Sequence, residues 1–146
     1  MKLETERLIL RPFQPSDLEP FAAYRSDPEV ARYQGWDAPY SIERASAFIT
    51  EMVQAVPGTP GDWYQFAVEL KQTGALIGDC AFHILAEDSR QAHVGFSFAR
   101  EHQGFGYATE AVARLLAYLF TDLKLHRVTG TCDVENVASA RLMARV

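Results

Sequence analysis

The segment from His93 to Arg114, HVGFSFAREHQGFGYATEAVAR, constrains the fold more than any other part of the chain. Val94, Phe96 and Phe98 alternate with His93, Gly95 and Ser97, the two-residue period of a strand. Ala108, Ala111, Val112, Leu115, Leu116 and Leu119 follow at helical spacing, one apolar stripe. Between them, Gln103-Gly104-Phe105-Gly106-Tyr107-Ala108 brings two glycines and a small residue to the mouth of the helix. Without side chains at Gly104 and Gly106, an anion can approach the backbone N–H groups closely. The helix start adds unpaired donors and a partial positive charge. Strand, glycine turn and helix together predict a seat for a diphosphate.

Several kinds of protein build such a seat. A P-loop needs Lys-Ser or Lys-Thr after its last glycine, and Tyr107-Ala108 stands there. A dinucleotide fingerprint needs a third glycine, where this chain has Thr109, and a downstream acidic residue that neither Asp122 nor Asp133 clearly supplies. A tight strand-to-helix connection with no ligand is also open. The remaining option is the acyl-CoA turn, Arg/Gln-x-x-Gly-x-Gly/Ala, and Gln103 to Ala108 resembles it as found in the GCN5-related N-acetyltransferases (GNAT). Other stretches share the resemblance, in order along nearly the whole chain. Leu3 to Pro12, LETERLILRP, is similar to the opening strand of the branch that acetylates ribosomal-protein N-termini. Trp36, Pro39 and Ser41 resemble its W-x-x-P-x-S/T stretch, and Phe66-Ala67-Val68 with Thr73 to Gly78 its central hairpin. Asn136-Val137-Ala138-Ser139-Ala140-Arg141-Leu142 resembles its Asn-x-x-Ser-x-x-Leu helix.

The bulk properties suit one globular domain. The chain has 146 residues, 48% of them apolar and 23% charged, with no low-complexity tract and no run long enough to span a membrane. Lys2, Glu4, Glu6 and Arg7 rule out a signal peptide at the start. Cys80 and Cys132 lack metal spacing and sit in apolar stretches, so buried thiols in a reducing cytoplasm are expected. A net charge of −5 argues mildly against a nucleic-acid surface and is compatible with a cationic amine. Four histidines without paired spacing make a metal site improbable.

Read in order, Arg7 to Phe13 is expected as the first strand, followed by a helix capped by Ser16 and broken at Asp27-Pro28. Residues 29 to 33 form a short helical turn. Ser41 caps a helix over 42–55. Strands at 63–70 and 75–85 are joined by the hairpin turn Lys71-Gln72-Thr73-Gly74. A strand at 92–99, the helix at 106–121, a strand at 127–134 and an Asn136-led helix complete the pattern. The resemblance implies an α+β GNAT fold with a mixed, mostly antiparallel twisted sheet flanked by helices. In that family the Asn-led helix leads into a Gly-Phe turn and two more strands. The sequence stops at Val146 inside the expected helix, so 1–146 is read as a single domain lacking its C-terminal strands.

The activity implied is that of an EC 2.3.1 acyltransferase. It moves acetyl from acetyl-CoA to a primary amine, on a protein N-terminus or a small molecule, by direct attack in a ternary complex without a metal. Gln103, Gly104, Phe105, Gly106, Tyr107 and Ala108 would hold the diphosphate. Phe98 aligns with the position whose backbone N–H faces the thioester carbonyl, and its side chain is otherwise a core aromatic. His93 stands where relatives often carry a Glu and is the base candidate, with His83 in reserve; a solvent-facing strand histidine is the other reading. His102 and His126 are expected on surface loops. Many relatives donate a proton to the leaving thiolate from a Tyr seven residues after the Asn, where this chain has Met143. Ser139 takes that role by resemblance to the ribosomal-protein branch, or simply packs its helix. Asn136 is read as a pantetheine or acceptor ligand and as a helix cap. Tyr33, Trp36 and Tyr40 either line the acceptor site or form an aromatic minicore. A monomer or homodimer is expected, with no nucleic-acid or membrane partner. A noncatalytic acyl-CoA-binding sensor or scaffold is the alternative from another class.

Overall fold

The computed structural model describes residues 1–32, 34 and 36–130. Tyr33, Cys132, Asn136, Ser139 and Met143, and the strand expected past Gly130, lie outside the described residues.

Among the described residues six strands form one sheet in sequential order: β1 (Leu3–Glu4), β2 (Leu8–Arg11), β3 (Trp63–Leu70), β4 (Leu76–Ile84), β5 (Gln91–Phe98) and β6 (Arg127–Gly130). Neighbours are antiparallel except β5 and β6, which pair in parallel from Gln91↔Arg127 to Val94↔Gly130. A parallel pair requires a crossover. Helix α4 (Tyr107–Ala117) supplies it and continues as a wider π-type turn through Asp122. Its Ala111, Val112, Leu115 and, past the helix, Leu119 pack on Phe66, Val68, Cys80 and Phe82 on one sheet face. The other face carries α1 (Leu18–Arg25), α2 (Pro28–Ala31) and α3 (Ile42–Gln54), joined through Phe21, Tyr24, Ile49 and Met52. The architecture is the expected α+β one.

Most expected elements are present within a residue or two, and three local expectations are corrected. A short strand β1 precedes the expected first one, and β2 ends at Arg11 because Pro12 has no N–H for the ladder. Ser16 does not cap α1. The chain enters through a 3₁₀ turn at Pro15–Asp17, and it is Asp17 that accepts the Gln14 N–H at 2.9 Å. Asp17 is held there by buried Arg11, which reaches its two oxygens at 2.8 and 2.9 Å and Glu69 at 2.8 Å. His102 lies in a 3₁₀ turn (Arg100–His102) and is half-buried, its Nδ1 enclosed. The cap of α3 is as expected, with Ser41 Oγ accepting from Arg44 N–H at 3.1 Å. Cys80 is a buried free thiol, raised well above its usual pKa by burial and then by Asp79. No helix among the described residues is long and apolar enough to cross a membrane.

Candidate active site

β5 delivers Phe98 to the 3₁₀ turn, and Gln103 leads into the glycine turn. Gly104 and Gly106 have φ of 88° and 82°, a left-handed backbone that side chains with a Cβ rarely adopt. Nothing lies within 4 Å of where a Cβ would stand on Gly104. In the first turn of α4 the Glu110 N–H meets Gly106 O at 3.0 Å. The N–H groups of Tyr107 and Ala108 therefore stand outside the helical ladder, beside an open cradle. These residues fit a diphosphate. The turn is also tied to the end of β5, because Gln103 Nε2 donates to the Phe98 carbonyl at 3.0 Å.

The ladder tells where the Phe98 N–H points. Ala99 N–H bonds Ile77 O at 2.9 Å, so the facing residues Gly78 and Phe98 are a non-hydrogen-bonded pair. The N–H and C=O of Phe98, and by the same alternation of Phe96, point away from β4 toward the β6 side. The Phe96 carbonyl takes a 3.3 Å hydrogen bond from Gln34 Nε2, and Gln103 takes that of Phe98. Two glutamines thus occupy the acceptors of this edge. The Phe98 side chain lies on Gly78: a Cβ there would stand 2.5 Å from Phe98 Cδ2.

The opposite face carries the titratable groups. Trp63, His83, His93 and Thr129 lie in one row across β3 to β6. The two histidines are direct neighbours, and His93 Nδ1 meets the Thr129 hydroxyl. His93 is exposed, while His83 Nε2 is 3.0 Å from Gly61 O. His93 precedes Phe98 by five residues, about 16 Å of extended strand. The intervening Gly95 has open space above it.

Beyond Gly95 comes a buried polar cluster that sequence reasoning missed. Asp79, 2% exposed, accepts from Ser97 Oγ at 2.9 Å, Gln65 Nε2 at 3.0 Å and the Tyr24 hydroxyl. Arg25 Nη2 lies 3.8 Å from the same carboxylate. Burial, and then the Asp79 charge, push Tyr24 well above its usual pKa. The Arg25 guanidinium is 3.9 Å from the Trp36 ring centre and 5.3 Å from that of Tyr40, so two of the expected acceptor aromatics enclose a cation of this chain. Tyr40 is buried and Trp36 half-buried. No group of metal-ligating side chains occurs among the described residues.

Comparisons with known proteins establish the family. The chain matches the family described as "Acetyltransferase (GNAT) domain" over residues 7–146. It is 35% identical to the uncharacterized N-acetyltransferase YoaA of Bacillus subtilis (strain 168), covering 99% of this chain and 80% of YoaA. Among solved structures, it is similar to a GNAT-family acetyltransferase from Bacillus anthracis, with 31% identity, a TM-score of 0.85, and 99% and 81% of the two chains covered. Spermidine N-acetyltransferase from Vibrio cholerae, solved with CoA and spermine, is 26% identical at a TM-score of 0.79, covering 97% and 80%. The chain belongs to the GNAT acetyltransferase family. It is an acetyltransferase of the EC 2.3.1 class, in a family that uses acetyl-CoA, and ribosomal-protein acetyltransferases share its fold.

Proposed function

We propose that this chain transfers acetyl from acetyl-CoA to a primary amine by direct attack. The amine nitrogen attacks the thioester carbonyl, the new C–N bond forms as C–S breaks, and the thiolate of CoA leaves. The amine loses one proton and the thiolate gains one. The observation that carries this reading is the tie from Gln103 to Phe98, which sets the diphosphate cradle at a fixed distance from a strand N–H turned away from β4. Holding the thioester there is mainly a proximity effect. A backbone donor on the developing oxyanion is worth about 2.7 to 4 kcal/mol.

An α-amino group with a pKa near 7.7 to 8.0 costs roughly 1 to 1.4 kcal/mol to deprotonate at neutral pH, and a lysine roughly 4.6. A weak base therefore suffices for a peptide N-terminus. His93 serves as that base through intervening water, since it is about 16 Å along β5 from Phe98. His83 beside it is the reserve. Ser139 protonates the leaving thiolate and Asn136 holds the pantetheine arm. Tyr33, Trp36 and Tyr40 border the acceptor, with half-exposed Trp36 able to touch it. The enzyme works in the cytoplasm as a monomer or homodimer.

The test is a panel of acceptors, from short peptides with free N-termini to polyamines, with released CoA measured by a thiol reagent. Acetyl-dependent CoA release with at least one primary amine is expected. CoA binding with no release across the panel would overturn the reading.

A further inference from the structure

The seat has a feature that works against its ligand. Glu110 stands in the first turn of α4, where a carboxylate repels a diphosphate bound at the helix start. The N-terminal segment cancels it. Arg7 Nε meets Glu110 Oε1 at 2.7 Å, the Arg7 backbone N–H meets Oε2 at 3.0 Å, and the Thr5 hydroxyl donates to Oε2. The same guanidinium reaches into the glycine turn, with Nη1 on the Phe105 carbonyl at 3.0 Å and Cζ 4.5 Å from the Tyr107 ring centre. Its Nη2 lies 3.4 Å from the place a Cβ would take on Gly106, and no group of the described residues accepts from it. A purely structural ion pair with Glu110 needs neither the bond to Phe105 nor a spare nitrogen at Gly106.

We propose that Arg7 is a CoA-binding residue: it neutralises Glu110, braces the glycine turn through Phe105, and offers Nη2 to the phosphates. This rests on the acetyl-CoA reading above. CoA is the ligand class, and the phosphates are the part recognised. Arginine suits the task because its planar fork serves a carboxylate on one edge and a phosphate on another.

The experiment is calorimetry with CoA on the wild type, Arg7→Gln and Arg7→Lys, beside NMR titration with pantetheine, which has no phosphate. Thermal unfolding of each variant reports on folding. Because a hydrogen bond to a charged group is among the stronger ones, Arg7→Gln should bind CoA at least about tenfold more weakly. Pantetheine affinity should not change. Arg7→Lys should fall between, keeping the charge and losing the fork. Raised salt should weaken the wild type more than Arg7→Gln. Wild-type CoA affinity in Arg7→Gln would overturn the proposal, as would equal weakening of CoA and pantetheine with a lowered melting temperature. Failure of the wild type to bind CoA at all would overturn the acetyl-CoA reading itself, and this proposal with it.

Discussion

Gly78 lacks a side chain because Phe98 occupies the space one would need. An added Cβ would meet Phe98 Cδ2 at 2.5 Å and the Ser97 carbonyl at 2.6 Å. Gly78→Ala is therefore expected to push Phe98 from its place, with two readouts: a lower melting temperature and a fall in turnover larger than the fall in CoA affinity. Gly106→Val acts differently. It puts a β-branched residue at φ 82° and a methyl group against Arg7, so the turn must rearrange. Calorimetry should show at least about tenfold weaker CoA binding, a loss of roughly 1.4 kcal/mol or more. Equal affinity would contradict the cradle. Glu110 carries a pH signature. Burial opposes its ionisation, but Thr5, the Arg7 N–H and the Arg7 guanidinium outweigh that and lower its pKa from the ordinary 4.5. A lowered folded pKa means the ionised form stabilises the fold, fully above the unfolded value and no longer once pH falls through the folded one. The melting-temperature gap between wild type and Glu110→Gln should be constant above about pH 5.5 and close as pH falls below about 4.5.

The elements owe their bounds to local chemistry wherever the needed partner is close in sequence. Ser41 caps α3 from three residues away, and Asp27 caps α2 by accepting Glu29 N–H at 2.9 Å. Ser41→Ala should cost about 1 kcal/mol, read from urea unfolding at unchanged slope. Asp27 also meets Arg100 just ahead of the glycine turn, and that contact lowers its pKa. The start of α1 is the counterexample. Ser16 has a suitable side chain, yet α1 starts without a side-chain cap, and the Asp17 carboxylate, fixed by Arg11 and, behind it, Glu69 of β3, reaches back to the Gln14 N–H. A distant arginine therefore sets how the chain enters this helix.

At the scale of the molecule, Asp79 joins four elements: Tyr24 and Arg25 of α1, Gln65 of β3, its own β4, and Ser97 of β5. It locks the helical layer to the strand that presents Phe98. Removing one member of a buried charged group leaves the others without partners, so Asp79→Ala should cost about 3 to 5 kcal/mol in chemical denaturation. Asp79→Asn, which keeps the shape and most hydrogen bonds, should cost clearly less.

Periodicity carried the strands β3 to β5 and helix α4, because alternation and the 3.6-residue stripe need only near neighbours. The glycine turn was legible for the same reason: its strand, its left-handed glycines and its helix are contiguous in the chain. Arg7, Glu110, Gly78 and Asp79 were not, although each is plain in the sequence. Arg7 and Glu110 are 103 positions apart, and Asp79 meets Tyr24 across 55. Those pairings depend on how the sheet folds the chain back on itself, and on burial that makes an unpaired charge costly. Near neighbours chose the elements and the glycine turn; packing of distant segments chose which side chains surround it.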